Sequence, residues 1–283
     1  MVGFPPGKIN LGLYITSKRP DGYHNLETIF IAVDLRDAIE CVPAGAGDTN
    51  LVELSISGRP IAGDPVNNLC VKAWHLLRRD FPQLPPVCMH IHKNIPMGAG
   101  MGGGSANGTY MLQLLVQQLQ LSVNEAYITS LSLELGSDCP FFLHATPCFA
   151  KGRGEELSPI SLPLEGYKVL LIHPGVPIST AEAFAHIQPE PVKETLPSLI
   201  QYPVEEWKER IHNQFENTVF KAHPHLAAYK QSLYDLGAAY ASLTGSGSTI
   251  YGLFPPGTSQ PTLPPHWPET HWVDLLLSSH TNK

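Results

Sequence analysis

Pro96-Met97-Gly98-Ala99-Gly100-Met101-Gly102-Gly103-Gly104-Ser105-Ala106 places five glycines in eleven residues. An ordinary tight turn needs one. Val87–His92 before the loop reads as a strand, and in 106–121 after it Met111, Leu112, Leu115 and Leu119 form an apolar stripe of helical period. The order is strand, glycine loop, helix. Glycines let the backbone approach a ligand with its N–H groups turned inward, and the helix N-terminus adds about half a positive charge, so the segment suits a di- or triphosphate. No Asp, Glu, Lys or Arg stands between Lys93 and Glu125. Amide dipoles would therefore carry the attraction without local anionic repulsion. A flexible linker is the competing reading.

Three phosphate-binding patterns can be weighed on this loop. A Walker A loop requires a Lys after its last glycine, and none follows here. Gly98-Ala99-Gly100-Met101-Gly102-Gly103 does not complete a dinucleotide fingerprint, because the acidic residue expected about 20 positions later at a strand end is missing. Glu125 has the distance, but it falls in the Ser122-x-x-Glu125 capping box of the next helix, expected to run to Leu135. The protein-kinase partners H-R-D and D-F-G are absent.

Before the loop, Ile9, Leu11, Leu13 and Ile15 alternate with Lys8, Asn10, Gly12 and Tyr14, the period of a half-buried strand. Lys8 and Asn10 then share a face. The turn Lys18-Arg19-Pro20-Asp21-Gly22-Tyr23-His24 follows, then strands at 28–33, 38–42 and 51–56 and a helix over 67–80. Beyond the loop come Gly136-Ser137-Asp138-Cys139-Pro140 and a boundary near Pro159, giving domains 1–158 and 159–283. The second half reads as a strand at 167–173, a capping box Ser179-x-x-Glu182 opening a short helix, helical stretches over 204–223 and 226–236, and strands at 240–243, 249–254 and 272–276. Mixed elements without regular βαβ alternation predict an α+β fold.

The chain has 283 residues, 43% of them hydrophobic, enough for two cores at roughly 100–200 residues per domain. With 18 basic against 25 acidic residues the formal charge is −7, which speaks against a nucleic-acid partner. Five scattered cysteines, never spaced C-x-x-C, suit a reducing, cytoplasmic setting better than a disulfide framework or a zinc knuckle. The opening MVGFPPGKIN lacks a basic leader, and no 18 consecutive apolar residues occur, so neither a secretory signal nor a membrane span is expected. His90/His92 and His223/His225 have metal-like spacing, but such pairs are more often structural.

The glycine loop resembles that of the GHMP kinases, whose form is P-x-x-x-G-L-G-S-S-A. Further segments are similar to members of that family along nearly the whole chain: Gly7-Lys8-Ile9-Asn10-Leu11, Arg19-Pro20-Asp21-Gly22-Tyr23-His24 with Glu27-Thr28, and Gly136-Ser137-Asp138-Cys139-Pro140-Phe141-Phe142. Gly152-Arg153-Gly154-Glu155, Ser179–Phe184, Asn213–Glu216 and Thr244-Gly245-Ser246-Gly247-Ser248 agree as well. Met101 stands for the usual Leu, Ala106-Asn107-Gly108 replaces Ser-Asp/Asn-Ala, and Ser137 replaces an Ala. None of these departures removes a charged group.

The resemblance implies a two-domain GHMP kinase fold with its active site in the cleft between the domains, ATP and Mg²⁺ as cofactors, and a cytidine-diphosphate alcohol as acceptor. Homoserine- or mevalonate-type acceptors are the alternative. It implies Asp138 as the carboxylate that takes the hydroxyl proton and Lys8 as its partner beside the transferring phosphate. ATP would be held by Pro96, Met97, Gly98, Ala99, Gly100, Met101, Gly102, Gly103, Gly104, Ser105 and Ala106, with Asn68 and Lys93 toward adenine or ribose and Ser105 a candidate Mg²⁺ ligand. Tyr23 and Phe184 would stack on cytosine, His24 would meet its edge, and Thr180 and Asn10 would contact the diphosphate or the polyol. The oligomeric state, monomer or homodimer, is left open.

Overall fold

In the computed structural model, residues 1–45, 51–179, 183–184 and 187–278 are described. In chain order the first elements are β1 (Val2–Gly3), β2 (Pro6–Lys18), β3 (His24–Arg36), β4 (Ala38–Pro43), β5 (Val52–Gly58), α1 (Leu69–Asp80), β6 (Val87–Lys93), α2 (Gly103–Gln118) and α3 (Glu125–Leu135). There follow β7 (Cys148–Lys151), β8 (Glu156–Pro159), β9 (Lys168–His173), the short α4 (Leu196–Leu199) and α5 (Trp207–Arg210), α6 (Glu216–Ala222), α7 (Pro224–Asp235), β10 (Tyr240–Leu243), β11 (Ile250–Phe254) and β12 (Glu269–Leu276). The α+β class read from the sequence is the class observed.

These elements gather into two compact units, each assembled from separate stretches. The first comprises Met1–Gly7, Leu35–Met97 and Gly102–His144, and the second Lys8–Asp34, Gly98–Met101 and Ala145–Lys283. Residues 145–158, grouped with the first domain in the sequence reading, pack in the second unit because β7 pairs with β3, Thr28 opposite Ala150.

In the first unit, β1, β4, β6 and β5 form a sheet in that order, with β5 parallel to β6 and the other pairs antiparallel. One face carries Ile39, Cys41, Met89 and Ile91, which pack with Trp74 and Leu77 of α1 and Met111, Leu112 and Leu115 of α2. The apolar stripe expected of α2 is thus the face it buries. In the second unit the sheet runs β10-β11-β9-β12-β3-β7-β8, with β2 paired to β3. Leu13 and Ile15 of β2 join Leu170, Ile172, Phe215, Leu233, Leu243 and Ile250 in its core.

Several element boundaries differ from the sequence reading. Helix α2 starts at Gly103, inside the glycine run and three residues before the expected start, with Ala106 N–H donating to Gly102 O at 2.9 Å. Low glycine propensity, about 1 kcal/mol per residue, is overridden there by the packing of the rest of the helix. Helix α3 is capped not by Ser122 but by Asn124, whose Oδ1 accepts from Tyr127 N at 2.9 Å. The helix expected over 204–223 is broken into α5 and α6. The Ser179-x-x-Glu182 box reaches beyond the described residues.

Candidate active site

Lys8 and Asn10, two residues apart on β2, do share a face. The Lys8 ammonium donates to Asn10 Oδ1 at 2.6 Å and stands 5.0 Å from the centre of the Phe30 ring, and the residue is only 4% exposed. Asn10 is itself held, its Nδ2 donating to Thr28 Oγ1 at 3.0 Å and its Oδ1 accepting from Thr244 Oγ1 at 3.3 Å. A buried cation on a strand is costly unless its donors are placed, and here a fixed amide places one of them. The backbone joins this group to the glycine loop, because Lys8 N–H donates to Met101 O at 2.9 Å.

Gly98–Met101 belong to the same unit and lie against the loop 244–248. Thr244 Oγ1 donates to Gly100 O at 3.2 Å, and a Cβ on Gly100 would stand 2.0 Å from Thr244 O at a φ of +75°. Only glycine fits there. Asn213, between α5 and α6, donates from Nδ2 to Leu243 O and Gly245 O, both at 2.8 Å, and fixes the second loop.

In the first unit the loop becomes the N-terminus of α2, which has no side-chain cap and no acidic residue in its first turn. Its orphan N–H groups are therefore available to an anion. A Cβ on Gly104 would meet nothing within 4 Å, so no protein contact demands glycine at that position. Room kept open over a helix N-terminus fits the close approach of a phosphate. Ser105 is half-buried in the same turn, and burial pushes the Cys139 thiol up to about 11.

Asp138 precedes a 3-10 turn, Cys139–Leu143, whose Phe141 and Phe142 are buried. Helix α2 holds this turn, since Thr109 Oγ1 donates to Cys139 O at 3.0 Å and Gln113 Nε2 to Leu143 O at 3.1 Å. The half-buried Asp138 is thus carried by the helix whose N-terminus ends the glycine loop.

Lys93 and Asn68 are placed by the architecture. Lys93 is fully buried and pairs with Asp37, while its Nζ also donates to Asn107 Oδ1 at 3.3 Å. Burial pulls this ammonium below its ordinary range, against the pull of Asp37. Asp37, with no signal in its own neighbourhood of the sequence, is the hub of this cluster. Its Oδ1 accepts from Asn94 N and Ile95 N at 2.7 and 2.8 Å, and its Oδ2 from Asn107 Nδ2 at 2.9 Å, fixing the entry to the loop and the first turns of α2. Asn68 caps α1, its Oδ1 accepting from Cys70 N at 2.9 Å. Pro96 is buried, and Met97 is 44% exposed at the loop's start.

Of the expected acceptor residues, His24 and Phe184 come together as stacked rings with centres 5.2 Å apart, and Phe184 rests edge-on against Phe215 at 4.9 Å. Desolvation, with the charge of Lys18, holds His24 below its ordinary value of 6.5. Tyr23 is 56% exposed at the tip of the turn, where Asp21 Oδ1 accepts its N–H at 3.1 Å. Thr180 lies outside the described residues.

The histidine pairs sit elsewhere. His90 bonds Ser55 and Ser57 across the first sheet, and His223 packs its ring on His225. Among the described residues no three or more His, Cys, Asp or Glu side chains are grouped to hold a metal ion, and no helix is long and apolar enough to cross a membrane. The five cysteines are free thiols.

The family model for the GHMP kinase N-terminal domain matches residues 68–146, and that for the GHMP kinase C-terminal domain matches 196–263. The chain is 47% identical over 272 residues to a 4-diphosphocytidyl-2-C-methyl-D-erythritol kinase of Bacteroides thetaiotaomicron, covering 96% of each chain. It is 34% identical to the enzyme of that name from Nitratidesulfovibrio vulgaris, with 87% of each covered. A crystal structure of 4-(cytidine 5'-diphospho)-2C-methyl-D-erythritol kinase superposes with a TM-score of 0.79 at 27% identity, covering 97% of this chain and 99% of the other. A homoserine kinase from Cytophaga hutchinsonii shares the fold at a TM-score of 0.65 and 15% identity, covering 89% and 85%. With the glycine loop, the Asp138 turn and the Lys8 strand in the places described, the chain belongs to the GHMP kinases and, within them, to the family of the 4-diphosphocytidyl-2-C-methyl-D-erythritol kinases.

Proposed function

We propose that this protein transfers the γ-phosphoryl group of ATP to the 2-hydroxyl of 4-diphosphocytidyl-2-C-methyl-D-erythritol, giving the 2-phosphate on the non-mevalonate route to isoprenoid precursors. The observation that carries the reading is the Asp138 turn held on α2 by Thr109 and Gln113, a carboxylate built onto the helix that ends the glycine loop. Such transfer is catalysed by positioning and charge stabilisation rather than covalent chemistry. The N–H groups at the start of α2 bind phosphate oxygens, and Gly104 leaves room for them. Asp138 accepts the acceptor's hydroxyl proton late in the transfer. Lys8, its ammonium held by Asn10, offsets the negative charge of the moving phosphoryl group. Mg²⁺, when bound with ATP, neutralises phosphate charge through phosphate oxygens and water, and Ser105 is the side chain in this turn that would reach it.

The acceptor is assigned by its base. Tyr23, His24 and Phe184 offer aromatic faces and a ring edge, which suit a pyrimidine and have no counterpart in the needs of homoserine or mevalonate. Asn10 bonds Lys8, Thr28 and Thr244, so its part is to hold Lys8 rather than to reach the polyol. Reaction proceeds in the cytoplasm, on a small-molecule acceptor. ATP consumption assayed against the cytidine-diphosphate alcohol, homoserine and mevalonate tests the reading. Turnover with the first alone is expected, and turnover confined to either of the others would overturn it.

A further inference from the structure

The Gly152-Arg153-Gly154-Glu155 turn joins β7 to β8 and has no part in the chemistry above. Pairing of β3 with β7 carries it to the start of β3, where Leu26 N–H donates to Gly152 O at 2.7 Å, three residues after Tyr23. Its construction holds one side chain. The Glu155 carboxylate folds back over the turn, accepting from Arg153 N–H and, at 3.4 Å, from Arg153 Nε. A Cβ on Gly152 would stand 2.8 Å from Glu155 Oε2 at a φ of +66°, so glycine is required for the carboxylate to lie there. The guanidinium so held lies 5.0 Å from the centre of the Tyr23 ring. The backbone of Tyr23 is fixed separately, by its N–H to Asp21 and its carbonyl oxygen, which accepts from Arg19 N–H at 2.8 Å.

We propose that Arg153 is a positioning residue for the acceptor's base: it covers one face of Tyr23 and holds the ring so that the other face receives the pyrimidine. This rests on the acceptor assigned above. A tyrosine with 56% of its surface exposed keeps several side-chain orientations unless something restrains it, and each ring torsion left free must be frozen on binding. A planar cation against the ring restrains it in advance and leaves the second face bare. Arg153, with its side chain 29% exposed, acts through Tyr23 and does not contact the reacting atoms.

The test combines steady-state kinetics with calorimetric binding of cytidine diphosphate to wild type, R153A, R153K, Y23A and the R153A/Y23A double variant. R153A is expected to raise the acceptor KM and the cytidine diphosphate Kd about 3- to 20-fold, with the ATP KM and kcat at saturating acceptor unchanged. R153K, which keeps the charge and loses the plane, falls between. In the Y23A background R153A should add less than about twofold, because its effect passes through the ring. An R153A variant that melts at the wild-type temperature with an unchanged acceptor KM overturns the proposal. So does an R153A effect that persists in full without Tyr23, which would place the guanidinium on the diphosphate itself. A wild type that binds cytidine diphosphate but does not phosphorylate the alcohol sinks the proposed reaction alone, and the Arg153 comparison is then read from binding.

Discussion

Asp138 is half-buried in a turn whose geometry is set by its neighbours, the buried Phe141 and Phe142 and the two side chains of α2 that bond the turn's carbonyls. Asp138→Asn keeps that geometry and removes the proposed proton acceptor. The expected result is unchanged ATP binding by calorimetry and a fall in turnover of about two to four orders of magnitude. Near-normal turnover would remove Asp138 from the chemistry. If Tyr23 stacks on the acceptor's base as proposed, Tyr23→Ala should raise the acceptor KM about tenfold with little change in that of ATP. Equal effects on both substrates would take Tyr23 out of the acceptor site. Lys8 and Asp138 are singled out in the sequence only by motifs that carry a resemblance, and what the structure adds is their setting, a buried strand and a turn held by α2. Asp37 is not singled out, because its partners Lys93 and Asn107 are 56 and 70 positions away and only the fold brings them together.

At the scale of elements, two glycines of one loop separate a structural need from a binding need. Gly100 faces Thr244 O so closely that a methyl group would stand 2.0 Å away, and Gly104 faces open space in a regular helix. Gly100→Ala should destabilise the fold by about 3 kcal/mol or more, read as a lower melting temperature. Gly104→Ala should leave stability unchanged or raise it by about 0.5–1 kcal/mol through helix propensity, while the KM for ATP increases. A Gly104→Ala variant with an unaltered KM for ATP would show that the opening serves no phosphate. The period-2 alternation around Lys8 identifies β2 as a strand but not its burial. It reads as half-buried, whereas residues 6–15 are buried on both faces, the polar face of Lys8 and Asn10 being covered by partners such as Phe30 and Thr244 that are distant in sequence. The expected helix over 204–223 failed where Asn213 turns to bond Leu243 and Gly245, carbonyls 30 and 32 positions later. Local periodicity holds no trace of such a partner, nor did it show that Asn124 would displace Ser122 as the cap of α3.

At the scale of the whole molecule, two histidines of the second unit, His24 and His212, stand out among the described residues for lowered proton affinity. Desolvation lowers His24, aided by Lys18, and desolvation lowers His212 against the opposing pull of Glu216 and Glu190. In the unfolded chain both return to about 6.5. Around and below that value the unfolded state binds more protons than the native state, so stability is complete above pH 6.5 and is lost as pH falls through 6.5 toward the two lowered values. Two paired carboxylates act outside this window: Arg79, with Tyr127, holds Asp80 below its ordinary 3.8, and Arg79 holds Glu134 below its ordinary 4.5, so their contribution is lost only in stronger acid. One global effect runs the other way, because protonating histidines reduces the net charge of −7 and relieves self-repulsion. Substitution separates the local from the global effect, since a variant lacking the two rings differs from the wild type only at those positions. Thermal melts of the wild type should therefore be flat from pH 8 to 7 and decline between 6.5 and 5. A His24→Asn/His212→Asn double variant should lose most of that decline, and an equal decline in both proteins would show that the two rings are not its source.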